Sequence, residues 1–199
     1  MTQLPDTHLA FLNKLRQLTA RRCPDMPENA RLFNYVQKVT IDASFCASLT
    51  VNGDSGIFFV LNGMVGTYHE FEGKERLSHV YDRRDIFYSN EVLPELNKQN
   101  TTWKALGGSE VLFFNLGDKN LQAAFPKWSR EIQMFISLYS TYQYQGYINA
   151  MGLDRKAYSI QWLRNHPNAL SVIPRSDLAD MLGISKTSLK SFIKTVLYE

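Results

Sequence analysis

Residues 56–87 read GIFFVLNGMVGTYHEFEGKERLSHVYDRRDIF, and their punctuation decides the fold. Short runs of β-branched, aliphatic and aromatic residues (IFFVL, MVGTYHEF, RLSHVY) are separated by Asn62-Gly63, by Glu72-Gly73 and by the tetrapeptide DRRD at 82–85. Such dipeptides supply the positive φ angles that tight antiparallel turns require. The pattern extends outward to VQKVTI (36–41), FCASLTV (45–51) and the turn Asn52-Gly53 on one side. On the other lie WKAL (103–106), GGSE (107–110) and VLFFNL (111–116). Closely spaced strands of this kind predict an antiparallel sandwich or barrel from about Val36 to Leu116, specifically a jelly roll. A short helix should precede it: HLAFLNKLRQL (8–18) places Leu9, Leu12 and Leu15 at helical spacing with Phe11 and Leu18 beside them, and Pro24 and Pro27 follow.

Beyond Asp118 the turn signals stop. PKWSREIQMFISLYSTYQYQGYINAM (126–151) reads as one long helix, with Pro126 near its start and Gly146 and Gly152 near its end. Ile132, Phe135, Ile136, Tyr139 and Tyr142 cover more than one narrow stripe of it. One side could lie on the barrel and the other against a second chain, making these five residues the candidate dimer interface; the other reading is a single stripe buried on the chain's own barrel. RKAYSIQWLRNHP (155–167) then predicts a further helix stopped by Pro167, with a linker to Pro174.

A chain of 199 residues, 44% apolar, can divide its core between a larger and a smaller unit. It contains no apolar run of membrane-spanning length, and MTQLPDTHLAFLNKL lacks the features of a signal peptide, so a cytoplasmic protein without a membrane partner is expected. Cys23 and Cys46 are too few for a disulfide framework or a four-thiolate cluster. The net charge of +3 is unevenly placed: residues 1–150 carry 15 Lys+Arg against 15 Asp+Glu, and residues 151–199 carry 7 against 4. The excess lies wholly in the last quarter, which suits a polyanionic partner there.

That quarter contains SDLADMLGISKTSLKSFIK (176–194). Leu178, Ala179 and Leu182 share one face of a first helix, Gly183 permits a left-handed turn, Ile184 plugs the corner, and Ser185 is a preferred N-cap for a second helix. Leu189, Ile193 and Val196 recur at helical spacing on that helix. Its other face carries Lys186, Lys190 and Lys194 at i, i+4 and i+8, with Thr187, Ser188 and Ser191 between them and no acidic residue between Asp180 and Glu199. Cations for phosphates and short hydroxyls for phosphates or base edges are what a helix in a DNA groove needs. An ordinary helical corner with a solvated lysine face has the same composition.

The corner, preceded by NHPNALSVIPR (165–175), resembles the C-terminal helix-turn-helix of the Crp/Fnr transcription regulators. GIFFVLNGMVGTYHEFEGKERLSHVYDRRDIF resembles that family's effector-domain barrel, and the order of barrel, long helix and corner agrees over residues from about 27 to 197. The resemblance implies an α+β chain: a double-stranded β-helix (jelly-roll) effector domain with its N-terminal helix at 1–117, a long dimerisation helix at 118–152, and a helix-turn-helix DNA-binding domain at 153–199. It implies a homodimeric, non-enzymatic, sequence-specific regulator that binds double-stranded DNA at an inverted repeat, with a small-molecule effector and RNA polymerase as further candidate partners. Lys186, Thr187 and Ser191 are the candidates for base edges; Arg175, Ser176, Ser185, Ser188, Lys190 and Lys194 are the candidates for phosphates.

Departures from the family pattern carry expectations too. Cyclic-nucleotide-binding members hold the ribose with a Gly-Glu pair and the cyclic phosphate with an Arg-Ser pair; here Ser89 falls at the ribose Glu, Gln99 and Asn100 fall near the Arg-Ser pair, and Lys98 is the nearest cation. A buried cyclic phosphate calls for a charged, bidentate donor that Gln99 does not provide, so the barrel should sense another ligand or be degenerate rather than bind cyclic AMP. Glu and Arg are common in the family at the positions of Thr187 and Ser191, so a different operator is expected. With the sequence ending at Glu199, no β-hairpin wing is expected after the second helix. No cofactor, metal site or catalytic residue is expected. The alternatives are a cupin-like metal enzyme, for which His69, His79 and Glu75 would have to meet across one hairpin, and a protein-interaction module that does not bind DNA.

Overall fold

The computed structural model describes residues 5–19, 27–41, 56–88, 101–134, 136 and 154–198. Helix α1 (Asp6–Thr19), the short α2 (Asn29–Leu32) and a 3₁₀ turn (Phe33–Tyr35) lead into β1 (Val36–Ile41), β2 (Gly56–Phe71), β3 (Lys74–Tyr81), β4 (Ile86–Tyr88) and β5 (Thr101–Asn115). Helices follow: α3 (Lys119–Ala124), α4 over the described residues 126–134, α5 (Arg155–Asn165), α6 (Ala169–Val172), α7 (Arg175–Leu182) and α8 (Lys186–Tyr198). The strands form one antiparallel sheet in the order β1-β5-β2-β3, with β4 paired to β2. Among the described residues no helix is long and apolar enough to cross a membrane.

Two of the expected turns are corners in continuous strands. Asn62-Gly63 and Gly107-Gly108 do not end strands: β2 and β5 run through them and remain paired from Gly56↔Asn115 to His69↔Thr101, with the register slipping between Val60 and Asn62 and again between Asn62 and Met64. The glycines lie opposite one another. Gly63, Gly107 and Gly108 all adopt positive φ (77°, 79° and 79°), and a Cβ on Gly63 would collide with the Gly108 carbonyl and the Ser109 side chain. The two strands bulge at the same place, so the ribbon bends as a unit and keeps its ladder. Ser109 Oγ ties the bend by donating to the Met64 carbonyl at 2.6 Å. Glu72-Gly73 is the expected two-residue hairpin, with φ of 52° and 73° between the paired Phe71 and Lys74. The FCASLTV strand and the turn Asn52-Gly53 lie outside the described residues.

Strand alternation sorts the core. Ile57, Phe59, Leu112 and Phe114 point to the face covered by α1, α3 and α4, where Phe11, Leu12, Leu15, Leu121, Trp128, Ile132 and Ile136 complete a buried cluster. Phe11 is fully buried and Leu9 is 37% exposed, so α1 meets the sheet through Phe11, Leu12 and Leu15, a stripe rotated from the expected one. Phe58, Val60, Val65, Trp103 and Phe113 line the opposite face with Phe87, whose ring stacks on Phe58 at 5.1 Å. Beyond the glycine bend, Met64, Tyr68, Leu77, Val80 and Leu106 pack against α5 to α8. The segment read as a linker to Pro174 contains α6, seated so that Val172 Cγ1 would lie 3.3 Å from a Cβ on Gly107.

Candidate nucleic-acid interface

The basic corner is built by local rules. Pro174, extended at φ −54° and ψ 137°, starts α7, and Leu178 N–H closes the first turn on the Pro174 carbonyl at 3.0 Å. Helix α7 thus begins at Arg175, three residues before Leu178, the first residue of its apolar face. It ends at Gly183, whose φ of 65° places it in the left-handed region, and its N–H reaches the Ala179 and Asp180 carbonyls. Ile184 N–H then bonds the Ala179 carbonyl at 3.0 Å, completing a C-terminal cap in which the Ile184 side chain packs on the core below. Ser185 Oγ accepts from Ser188 N–H at 3.0 Å, the N-cap bond expected at the start of α8, and the two hydroxyls are 2.9 Å apart.

Packing orients what the caps delimit. Leu178, Ala179, Leu182 and Leu189 are buried, with Phe192, Ile193 and Val196 partly buried beside them, so the apolar stripe of α8 faces α5 and α7. Lys186, Lys190 and Lys194 are all exposed, together with Thr187 and Ser191. Their spacing puts successive lysine Cα atoms about 6 Å apart along the helix axis. Of the remaining candidates, Arg175 and Ser185 are exposed and Ser188 is partly buried; Ser176 is partly buried with its hydroxyl 3.1 Å from Asp177 Oδ1. The nine residues therefore share the corner, and five of them cluster on the solvent face of α8.

Reading the sequence missed Arg155, the first residue of α5, which donates from Nη1 to the Gly183 carbonyl at 3.1 Å across 28 positions of chain. No local pattern connects the two residues; only the fold brings them together.

The other candidates fall differently. Ser89, Lys98, Gln99 and Asn100 lie outside the described residues, as do Phe135, Tyr139 and Tyr142. Ile132 and Ile136 are 0% and 4% exposed inside the cluster that joins α4 to α1 and the sheet. The nearby Met134 is 62% exposed. On the sheet's aromatic face, Tyr81, Phe87 and Trp103 stack with centroids 4.8 to 5.7 Å apart, and His79 sits edge-on to Tyr81 at 4.5 Å. Burial, helped by the charge of His166, pushes the His79 imidazole down to about 4. Burial also raises the Asp85 carboxyl in the turn before β4.

The three residues of the metal-enzyme alternative have other neighbours. His69 opposes Arg76 and His79 opposes Thr67, while the Glu75 carboxylate accepts from Lys104 and from Thr102, bonds that lower its pKa. Among the described residues no group of three or more His, Cys, Asp or Glu could hold a metal.

No protein-family model matches the chain, and no curated protein matches it in sequence. Its fold is similar to that of FixK2 from Bradyrhizobium japonicum (TM-score 0.57, 11% identity, covering 81% of this chain and 84% of that one). It is similar also to a cyclic nucleotide-binding domain containing protein from Listeria monocytogenes EGD-e (TM-score 0.54, 12% identity, 94% and 90% covered). A mutant of CooA from Carboxydothermus hydrogenoformans is a third (TM-score 0.50, 17% identity, 97% and 85% covered). At these identities the likeness is one of fold: an antiparallel sheet followed by helices in an α+β chain.

Proposed function

We propose that the chain is a homodimeric, sequence-specific DNA-binding transcription regulator of the Crp/Fnr type, with α7 and α8 as its helix-turn-helix and α8 as the helix that enters the major groove. One observation carries this reading. An N-capped helix turns three evenly spaced lysines and two short hydroxyl side chains to solvent from a corner whose apolar side packs on a buried cluster around Leu178, Ala179, Leu182 and Leu189. The likeness in fold to FixK2 and CooA supports it, as does the order of sheet, helices and corner.

In this arrangement Lys186, Thr187 and Ser191 lie near the start of α8 or one turn on, where base edges are reached. Ser185, Ser188, Lys190 and Lys194, with Arg175 and Ser176 on α7, serve the phosphate backbone. The dimer forms through the expected interface residues Phe135, Tyr139 and Tyr142 rather than through Ile132 and Ile136, which are buried within the chain. The barrel senses a ligand other than cyclic AMP, or none, because the resemblance in sequence sets Gln99 and Asn100 near the positions where the cyclic phosphate would need an Arg-Ser pair.

Duplex binding measured at about 50 mM and about 150 mM salt tests the reading. The protein should bind with a steep salt dependence, and replacing Lys186, Lys190 and Lys194 together by Ala should flatten the slope by about 0.9 for each phosphate no longer neutralised. Unchanged binding by the triple variant would reduce the lysine face to a solvated surface.

A further inference from the structure

We infer that Arg155, on a helix outside the α7–α8 corner, is a DNA-phosphate contact, held at the mouth of the corner by the Gly183 carbonyl; the inference rests on the DNA-binding reading above. Gly183 is the left-handed residue that ends α7, and α8 begins three residues later at Lys186. A guanidinium bonded to that carbonyl at 3.1 Å is therefore anchored two positions of chain before Ser185 and three before Lys186, at the end of α8 that would lead into the groove.

The bond itself leaves most of the group uncommitted. A guanidinium has five N–H donors in a planar fork, and a brace to one neutral carbonyl engages one of them. Arg155 is exposed, and the described ion pairs (Lys38–Glu110, Lys104–Glu75 and Lys127–Glu131) all lie elsewhere. The carboxylate of its neighbour Asp154 caps α5 by accepting from Lys156 N–H at 2.9 Å. What remains is a positive charge and an uncommitted edge of the fork on an exposed residue, tethered by one bond to the turn that leads into α8. Planar, bidentate recognition of a phosphate is the chemistry that uses such an edge, and pinning it beforehand reduces the ordering cost of the contact.

Purified Arg155→Gln and Arg155→Lys proteins titrated onto a mixed-sequence duplex of about 30 base pairs, between about 50 and 200 mM salt, test the inference. Arg155→Gln keeps a neutral donor for the Gly183 carbonyl and removes the charge. Its affinity at the lowest salt should fall roughly ten-fold per subunit, the decrease expected for removing a hydrogen bond to a charged group, and the magnitude of its salt slope should fall by about 0.9 per subunit. Arg155→Lys keeps the charge without the fork, so it should retain the slope and only part of the affinity. A purely structural brace gives the opposite signature: a lowered Tm, faster amide exchange at Gly183 and Ile184, and an unaltered salt slope in Arg155→Gln. That result overturns the inference, as does wild-type binding by Arg155→Gln. If the triple-lysine variant loses binding while Arg155→Gln does not, this inference alone fails; if neither loses it, the DNA-binding reading fails as well.

Discussion

Among the histidines whose pKa burial lowers, His79 near the end of β3 is shifted furthest and should make folding stability depend most on pH. His79 lies opposite Thr67, packs against Tyr81 and feels the charge of His166 on the adjoining helical unit. Its pKa is pushed from 6.5 down to about 4, chiefly by burial. Between these values the unfolded chain binds a proton that the folded chain refuses, so stability falls as pH drops from about 6.5 to about 4 and changes no further through this group below that. At 1.36 kcal/mol per pKa unit the full decrease is up to about 3 kcal/mol, an upper limit because His79 keeps partial contact with solvent. Asp85, raised by burial, acts in the opposite sense, since the folded chain accepts its proton before the unfolded chain does. Comparison with His79→Gln therefore isolates the histidine. Urea unfolding of both proteins from pH 7 to pH 4.5 should show the wild type losing stability faster than the variant, with the curves converging toward pH 7 apart from a constant offset. Parallel curves across that range, or an NMR titration placing His79 near 6.5, would refute the reasoning.

Other substitutions test the corner and the dimer. Gly183→Val forces a β-branched residue to a φ of 65° and should destabilise the α7–α8 unit by at least about 1 to 2 kcal/mol, measurable as a lowered denaturation midpoint. Met134→Lys should weaken self-association in sedimentation experiments at micromolar concentration while leaving the chain folded. Ile136→Asp, by contrast, should unfold the chain because it buries a charge beside Trp128 and Ile132. Lys194→Ala should weaken binding to all duplexes alike and lower the salt slope by about 0.9 per subunit.

These predictions reflect which parts of the molecule local chemistry specifies. Gly183, Ile184 and Ser185 could be read in advance because a left-handed cap, a plug and an N-cap are decided by residues within four positions of one another. The Glu72-Gly73 hairpin was legible for the same reason. Asn62-Gly63 misled because a turn dipeptide specifies φ, not whether the partner strand bends with it; that depended on Gly107 and Gly108, more than forty residues away. Periodicity alone also could not divide the apolar residues of α4 between a chain's own sheet and a second chain. Ile132 and Ile136 look like interface residues in sequence, yet both are buried in the cluster that also holds Phe11 and Leu12 of α1. Arg155 was invisible in sequence because its one diagnostic bond spans 28 positions.

Selection of bound sites from a library of random duplexes with the purified protein, at about 50 mM and at physiological salt, tests the central claim most directly. The account predicts an enriched inverted repeat whose half-sites lie about one helical turn, roughly 34 Å, apart, and disappearance of that enrichment when Lys186, Thr187 and Ser191 are replaced by Ala. Recovery of no repeat at either salt, or of the same repeat with those three residues replaced, would contradict it.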